Sequence, residues 1–360
     1  MEHILTVHFS KYPKMTPQDA VKLIYQSSFG GGHLISDTSA AMAYLRTERA
    51  SATMLSIPLC EPIGHGMTRL SLHSEQCASI DDMTLIRMFA ASAKRVLSRK
   101  DNQQRMEEGL SVLTQMTAQG KAPFSMDALS VYLHDYRVAG YPIVRHSEIF
   151  RQTYDPAYRV MESIFPSLFP LISAIDRLLA TQKESVCIAI DGNAAAGKTT
   201  AADALASLYD CNVFHMDDFF LPFHMRTPQR LAEPGGNIHY ERFHDEVISG
   251  ILSQESFSYA PYSCSEGTYL PPITVEPKRL SIIEGSYAHH PLFRHAYDLR
   301  AVLYITPKEQ QTRILRRNGE DLLNMFLARW IPLESTYFHT YRIFSEADIL
   351  ITDQCVKNDA

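Results

Sequence analysis

Apolar residues recur at helical spacing through the first 140 residues, then gather beyond residue 185 into short runs separated by turns and helices. Residues 16–26 place Ala20, Val21, Leu23 and Ile24 on one face behind Thr16, a residue suited to cap a helix. Residues 39–48 predict a second helix. The pattern returns at 80–97 with Met83, Ile86, Phe89, Ala90 and Ala93, and again at 104–116 and 126–138. Between them, residues 56–72 read as irregular or extended.

Residues 141–170 are rich in aromatics and prolines, among them Tyr154, Tyr158, Phe165, Pro166, Phe169 and Pro170, and helical periodicity resumes at 171–179. Side chains of that kind favour packing over disorder. The expected division is a mostly helical domain at 1–150, a packed connector at 151–170 and a second domain at 171–360. In that second domain the run Val-Cys-Ile-Ala-Ile from Val186 is followed by a glycine-containing turn and an alanine-rich helix through Leu208. Further strands are predicted at 212–215, 279–283, 301–305 and 348–352. Alternating strands and helices predict an α/β fold with a parallel five-stranded sheet covered by helices.

A chain of 360 residues is long enough for two such domains. Its 45% apolar and 21% charged content is that of a globular protein and excludes disordered or fibrous classes. A net charge of −6 argues against a protein built to hold nucleic acid, because backbone affinity comes from Lys and Arg. The six cysteines stand far apart, without CxxC or zinc-like spacing, as expected of reduced thiols. Charged residues interrupt the first fourteen positions, and no apolar run approaches membrane-spanning length. The expected location is cytoplasmic, with no membrane or nucleic-acid partner.

Gly192-Asn193-Ala194-Ala195-Ala196-Gly197-Lys198-Thr199, continued by Thr200, satisfies GxxxxGK[ST] between a predicted strand and a predicted helix. The glycines let backbone N–H groups wrap phosphates, the helix start favours anions, Lys198 reaches terminal phosphates, and the Thr199 hydroxyl suits Mg²⁺. Alone, the loop fixes only nucleotide binding.

Asp217 and Asp218 follow the next strand, at the sheet edge where open α/β sheets bind ligands. Glu284, followed at once by Gly285, ends a later apolar run at the same edge, suited to hold metal or orient an acceptor. Arg313, Arg316 and Arg317 lie on one helical stretch ending at Asn318-Gly319. They suit a lid over a transferring phosphoryl group, and equally a solvated helix face.

GNAAAGKTT at 192–200, MDDFF at 216–220, PGGNIHYERF at 234–243, IIEGSY at 282–287 and RILRRNGE at 313–320 together resemble the uridine kinase and phosphoribulokinase-like group of P-loop kinases. The resemblance spans residues 185–353. It implies Mg-ATP as phosphoryl donor and a hydroxyl of a nucleoside or other small alcohol as acceptor. It also implies Asp217 as general base, Glu284 as the acid of the fourth motif, Thr199, Asp217 and Glu284 around the metal, and the three arginines in the lid. Asp218, His239, Tyr240, Arg242 and Tyr262 fall where the acceptor is expected. The chain departs from the group at Asn237-Ile238-His239-Tyr240, where an acid that grips ribose hydroxyls is absent. That weakens uridine as the acceptor. Tyr259 and Tyr262 suit stacking on a ligand and core packing alike. The alternative function is an ATP-dependent switch that controls the first domain.

In the first domain, Gly30-Gly31-Gly32-His33 and Gly64-His65-Gly66-Met67-Thr68-Arg69 suit helix ends and tight turns, or a backbone nest with Arg69 as anion partner. Its histidines show no paired metal spacing.

Overall fold

The computed structural model describes residues 1–31 and 38–352. The chain forms two compact units that divide between Pro166 and Ser167.

The first unit runs α1 (Glu2–Lys11), α2 (Pro17–Phe29), α3 (Thr38–Ser51), β1 (Cys60–Gly64), β2 (Met67–Ser71), α4 (Asp82–Leu97), α5 (Asn102–Ala118), α6 (Met126–Val138), α7 (Glu148–Tyr154) and β3 (Tyr158–Glu162). Its helices start where capping chemistry allows. Asp19 accepts the Thr16 N–H at 3.1 Å, and Asp81 accepts the N–H groups of Met83 and Thr84. The extended stretch is a β1–β2 hairpin that turns at Gly64-His65-Gly66, where φ is +90°, +54° and +72°. Helix α1 was not expected, although Ile4, Leu5, His8 and Phe9 bury one face of it. The expected connector is not a separate piece. Its strand β3 pairs antiparallel with β2, so residues up to Pro166 belong to the first unit. Leu23 and Ile24 of α2 pack with Leu110 and Leu113 of α5, and a Cβ on Gly109 would stand 2.5 Å from Ile24.

A single turn, α8 (Ile164–Ser167), leads into α9 (Phe169–Leu179), β4 (Val186–Gly192), α10 (Lys198–Ala206) and β5 (Cys211–His215). Short helices α11 (Pro228–Ala232), α12 (Tyr240–Phe243) and α13 (Ser249–Ser253) follow. Strands β6 (Phe257–Tyr259) and β9 (Ile273–Val275) form one small ladder, and β7 (Tyr262–Ser263) and β8 (Thr268–Tyr269) another. The chain ends through β10 (Leu280–Glu284), β11 (Leu299–Tyr304), α14 (Pro307–Met325), α15 (Ile331–Thr340) and β12 (Ile349–Thr352).

The five long strands form one parallel sheet in the order β12-β11-β4-β10-β5, as the alternating pattern predicts. Every residue of β4 is buried, as its unbroken apolar run requires of a central strand. After β4 the chain builds β5 and β10 on one side, then β11 and β12 on the other. The carboxyl end of β4 is therefore the topological switch point, where such sheets open a crevice for ligands.

Candidate active site

Three backbone positions give the loop after β4 its shape. Gly192 has φ +144°, and a Cβ there would lie 2.0 Å from the Leu303 carbonyl oxygen on neighbouring β11. Ala195 and Gly197 also take positive φ, at +62° and +93°. Helix α10 then begins at Lys198. The Lys198 Nζ donates to the carbonyls of Gly192 at 2.8 Å and Asn193 at 2.9 Å, and lies 3.3 Å from the Ser286 hydroxyl. Beneath the loop, fully buried Asp191 accepts the N–H of Gly192 at 2.7 Å, the N–H of His289 at 2.9 Å and the Tyr337 hydroxyl at 2.7 Å. Backbone that only glycine tolerates beside β11, a helix start and an inward lysine together fit the phosphates of a nucleotide.

Glu284, at the end of β10, sits in register with Ile190 of β4 and His215 of β5. Its Oε1 accepts the Thr199 hydroxyl at 3.0 Å and meets His215 Nδ1 at 2.6 Å. The bond to Glu284 raises the His215 pKa against the opposing effect of burial, with the charges of Glu284, Asp218 and Asp203 adding. Gly285, at φ +139°, lets the chain turn past Met216, whose Cβ would stand 2.6 Å from a Cβ there. A hydroxyl and a carboxylate 3.0 Å apart beside the phosphate loop are hard oxygen donors of the kind Mg²⁺ takes. Among the described residues, no group of three or more His, Cys, Asp or Glu is placed to hold a metal unaided.

Asp217 stands on the 3-10 turn Met216–Phe219 that follows β5. It is exposed to solvent, although neighbouring groups crowd its carboxyl. That crowding pushes its carboxyl up, the charge of Glu284 adds, and Lys198, His215 and Arg317 oppose. Desolvation raises Asp218 too, against His215 and Arg242.

Arg313 donates to Glu309 at 2.7 Å and to the Ala195 carbonyl at 3.5 Å. Arg317 bonds the Asn318 side chain at 2.7 Å and is close enough to act on Asp217. Arg316 points to solvent. The helical stretch breaks at Asn318-Gly319, as expected. Gly319 breaks its geometry at φ +80°, ψ +176°, and α14 resumes to Met325 and runs on through the π turn Phe326–Trp330 into α15.

Of the residues expected around an acceptor, His239 caps α12 by accepting the Arg242 N–H at 3.3 Å. Arg242 pairs with Glu246 at 2.7 Å and lies 4.4 Å from the Phe219 ring centre. The Tyr240 hydroxyl bridges Arg230 and Glu233, both at 2.6 Å, while its ring stacks on His290. Tyr262 packs edge-on against Phe223 and Tyr269. Tyr259 belongs to the core, stacked on Phe219.

Several neighbours of the loop escape sequence reasoning: His215, Ser286, Tyr337, Asp191 and, above all, Glu334. Only 5% exposed, Glu334 accepts the Ala194 N–H at 3.1 Å and the Ser286 hydroxyl at 2.7 Å. Burial pushes its carboxyl up, the Lys198 charge and these two bonds oppose, and Asp191 adds. His215 and Asp191 stand beside recognisable motifs, as acids and bases at strand ends. Glu334 carries no local signal, because it reaches the loop from a helix 140 residues further along.

In the first unit Arg69 is committed elsewhere. It is 2% exposed, donates to Gln26 Oε1 at 3.0 and 2.8 Å, and pairs with Glu61 at 3.5 Å. The same buried polar network holds His146 between Asp19 at 3.0 Å and Tyr158 at 2.6 Å. Burial lowers both His8 and His146 to about 4. Gly30 ends α2 at φ +66°, whereas Gly32 and His33 lie outside the described residues. No helix among the described residues is long and apolar enough to cross a membrane.

No family model matches this chain, and no curated protein does. Among solved structures, a possible uridine kinase from Bacillus stearothermophilus is similar over 52% of this chain and 97% of its own, at 19% identity and a TM-score of 0.40. A putative fructose transport system kinase from Silicibacter sp. TM1040 matches over 53% and 98%, at 19% identity and a TM-score of 0.41. A D-glycerate 3-kinase from Cryptococcus neoformans matches over 52% and 87%, at 13% identity and a TM-score of 0.32. The first unit lies outside these matches. The sheet order, the loop at the switch point and the flanking helices give the second unit an open parallel α/β fold with a P-loop-type turn after β4.

Proposed function

We propose that this chain is a cytoplasmic kinase that transfers the γ-phosphoryl group of ATP to a hydroxyl of a small molecule. The observation that carries the reading is the convergence at one sheet edge of Lys198, the Thr199–Glu284 pair and Asp217. Mg-ATP, when bound, would supply the transferable phosphoryl group and a metal charge that offsets those of its phosphates. The N–H groups of residues 193–199 bind and orient the phosphates, and Lys198 exchanges the loop carbonyls for terminal phosphate oxygens. Thr199 and Glu284 offer the oxygens that hold the metal. Asp217 takes the proton of the acceptor hydroxyl, and its solvent-facing position leaves room for that acceptor. Arg313 and Arg317 bring positive charge from α14, and Arg316 joins them if the lid closes over the site.

His239 and Arg242 border the acceptor region in place of a ribose-gripping acid, which favours small alcohols other than uridine. A nucleotide-driven switch has no need of a carboxylate at Asp217, on the acceptor side of the loop. The test is a panel of nucleosides, sugars, polyols and hydroxy acids, with ADP release and product mass measured together. Stimulated ADP release with a product heavier by one phosphoryl group supports the kinase. Turnover indifferent to every acceptor, with no new product, supports the switch.

A further inference from the structure

We propose that Glu334 is a specificity-determining residue that reads the terminal phosphate: its carboxylate holds the Ala194 N–H and the Ser286 hydroxyl in competition with the γ-phosphoryl group of ATP. The inference rests on the reading of residues 192–199 as a nucleotide phosphate loop.

Three observations place Glu334 there. First, it is a buried anion on a backbone N–H of the phosphate loop itself, 3.1 Å from Ala194 N, the kind of position a phosphate oxygen takes. Second, Ser286 links it to the lysine: the hydroxyl lies 3.3 Å from Lys198 Nζ and donates to Glu334 at 2.7 Å. The lysine of such a loop reaches the β- and γ-phosphates, so Glu334 stands at the terminal end of the nucleotide rather than at its α-phosphate. Third, Tyr337, three residues further along α15, donates to Asp191 beneath the loop at 2.7 Å. One face of α15 is thus fastened to the loop at two points.

A carboxylate and a γ-phosphate cannot share the Ala194 N–H, since like charges brought together disfavour binding strongly. A diphosphate stops one phosphoryl group short and leaves the contact in place. Glu334 therefore sets the balance between ATP and ADP.

The experiment is calorimetric titration of the full chain with ATP and with ADP, Mg²⁺ present throughout, for the wild type, Glu334→Gln, Glu334→Asp and Lys198→Ala. The glutamine keeps an acceptor for Ala194 and a polar partner for Ser286 but removes the charge. It should tighten ATP by about tenfold or more while ADP changes by less than about twofold. Aspartate, which withdraws the carboxylate from Ala194, should shift the ratio the same way by less, and it answers the question if the glutamine variant does not fold. An unchanged ATP-to-ADP ratio in both variants, with binding still dependent on Lys198, overturns the role of Glu334 and leaves the phosphate loop standing. Binding of neither nucleotide by the wild type, or binding unaffected by Lys198→Ala, overturns both.

Discussion

Replacing Gly192 by alanine separates two reasons for glycine in the phosphate loop. At φ +144° the backbone of Gly192 occupies a region that only glycine adopts freely, which costs another residue about 1–3 kcal/mol. The larger obstacle is steric. The new Cβ would stand 2.0 Å from the Leu303 carbonyl oxygen, and Leu303 is the β11 residue in register with Gly192. Relief requires β11 to move off β4, weakening ladder hydrogen bonds of about 1 kcal/mol each at the centre of the sheet. Together these give about 3–5 kcal/mol of destabilisation. Gly197 also has a positive φ, +93°, but no atom lies within 4 Å of a Cβ placed there. Gly197→Ala should therefore cost only the strain, about 1–2 kcal/mol. Trp330 is the chain's one tryptophan and lies in the second unit, so its fluorescence during urea unfolding reports on the unit concerned. If Gly192→Ala proves no less stable than Gly197→Ala, the steric argument is wrong.

Thr199→Ala should bind ATP in EDTA as the wild type does, yet lose the gain in affinity that Mg²⁺ confers; an intact gain by calorimetry would remove Thr199 from the metal site. Tyr337→Phe deletes a donor to the buried Asp191 carboxylate and should cost about 1.5–3 kcal/mol in the same urea assay, whereas a neutral effect would show that the 2.7 Å bond is replaceable. Acid should weaken the first unit through His8 and His146, both lowered by burial to about 4. Between pH 5 and 6.5 the unfolded chain binds protons that the folded unit refuses. This stability is present above pH 6.5 and is lost as pH falls towards 4, at about 1.4 kcal/mol per pH unit for each histidine. Urea midpoints from far-ultraviolet circular dichroism should fall across that window, and His146→Gln should flatten the slope; a pH-independent midpoint would contradict it.

The centre of the sheet was legible because β4 and β10 are short, fully buried runs bounded by turns, as central parallel strands require. The strand expected at 301–305 is Leu299–Tyr304, and that at 279–283 is Leu280–Glu284. The loop was legible because its chemistry lies in consecutive residues. Helix α1 was overlooked because His8 and Lys11 dilute an apolar stripe that is nonetheless at helical spacing. Strand β3 was absorbed into an aromatic connector because its partner, β2, lies some ninety residues earlier. Glu334 and Tyr337 reach Ala194 and Asp191 only through tertiary packing of α15, and one sequence carries no mark of such a meeting. The same limit applies to Arg69, whose exposed-looking context hides a side chain spent on Gln26 and Glu61.

Transfer itself is the most direct measurement of the central claim. With ATP labelled in its γ-phosphoryl group and the best acceptor from the panel, the wild type should move label to the acceptor. Asp217→Asn should bind ATP with unchanged affinity but transfer about a hundredfold or more slowly, the loss expected when a general base is removed. Label released only as inorganic phosphate, or transfer undiminished in Asp217→Asn, would contradict the account.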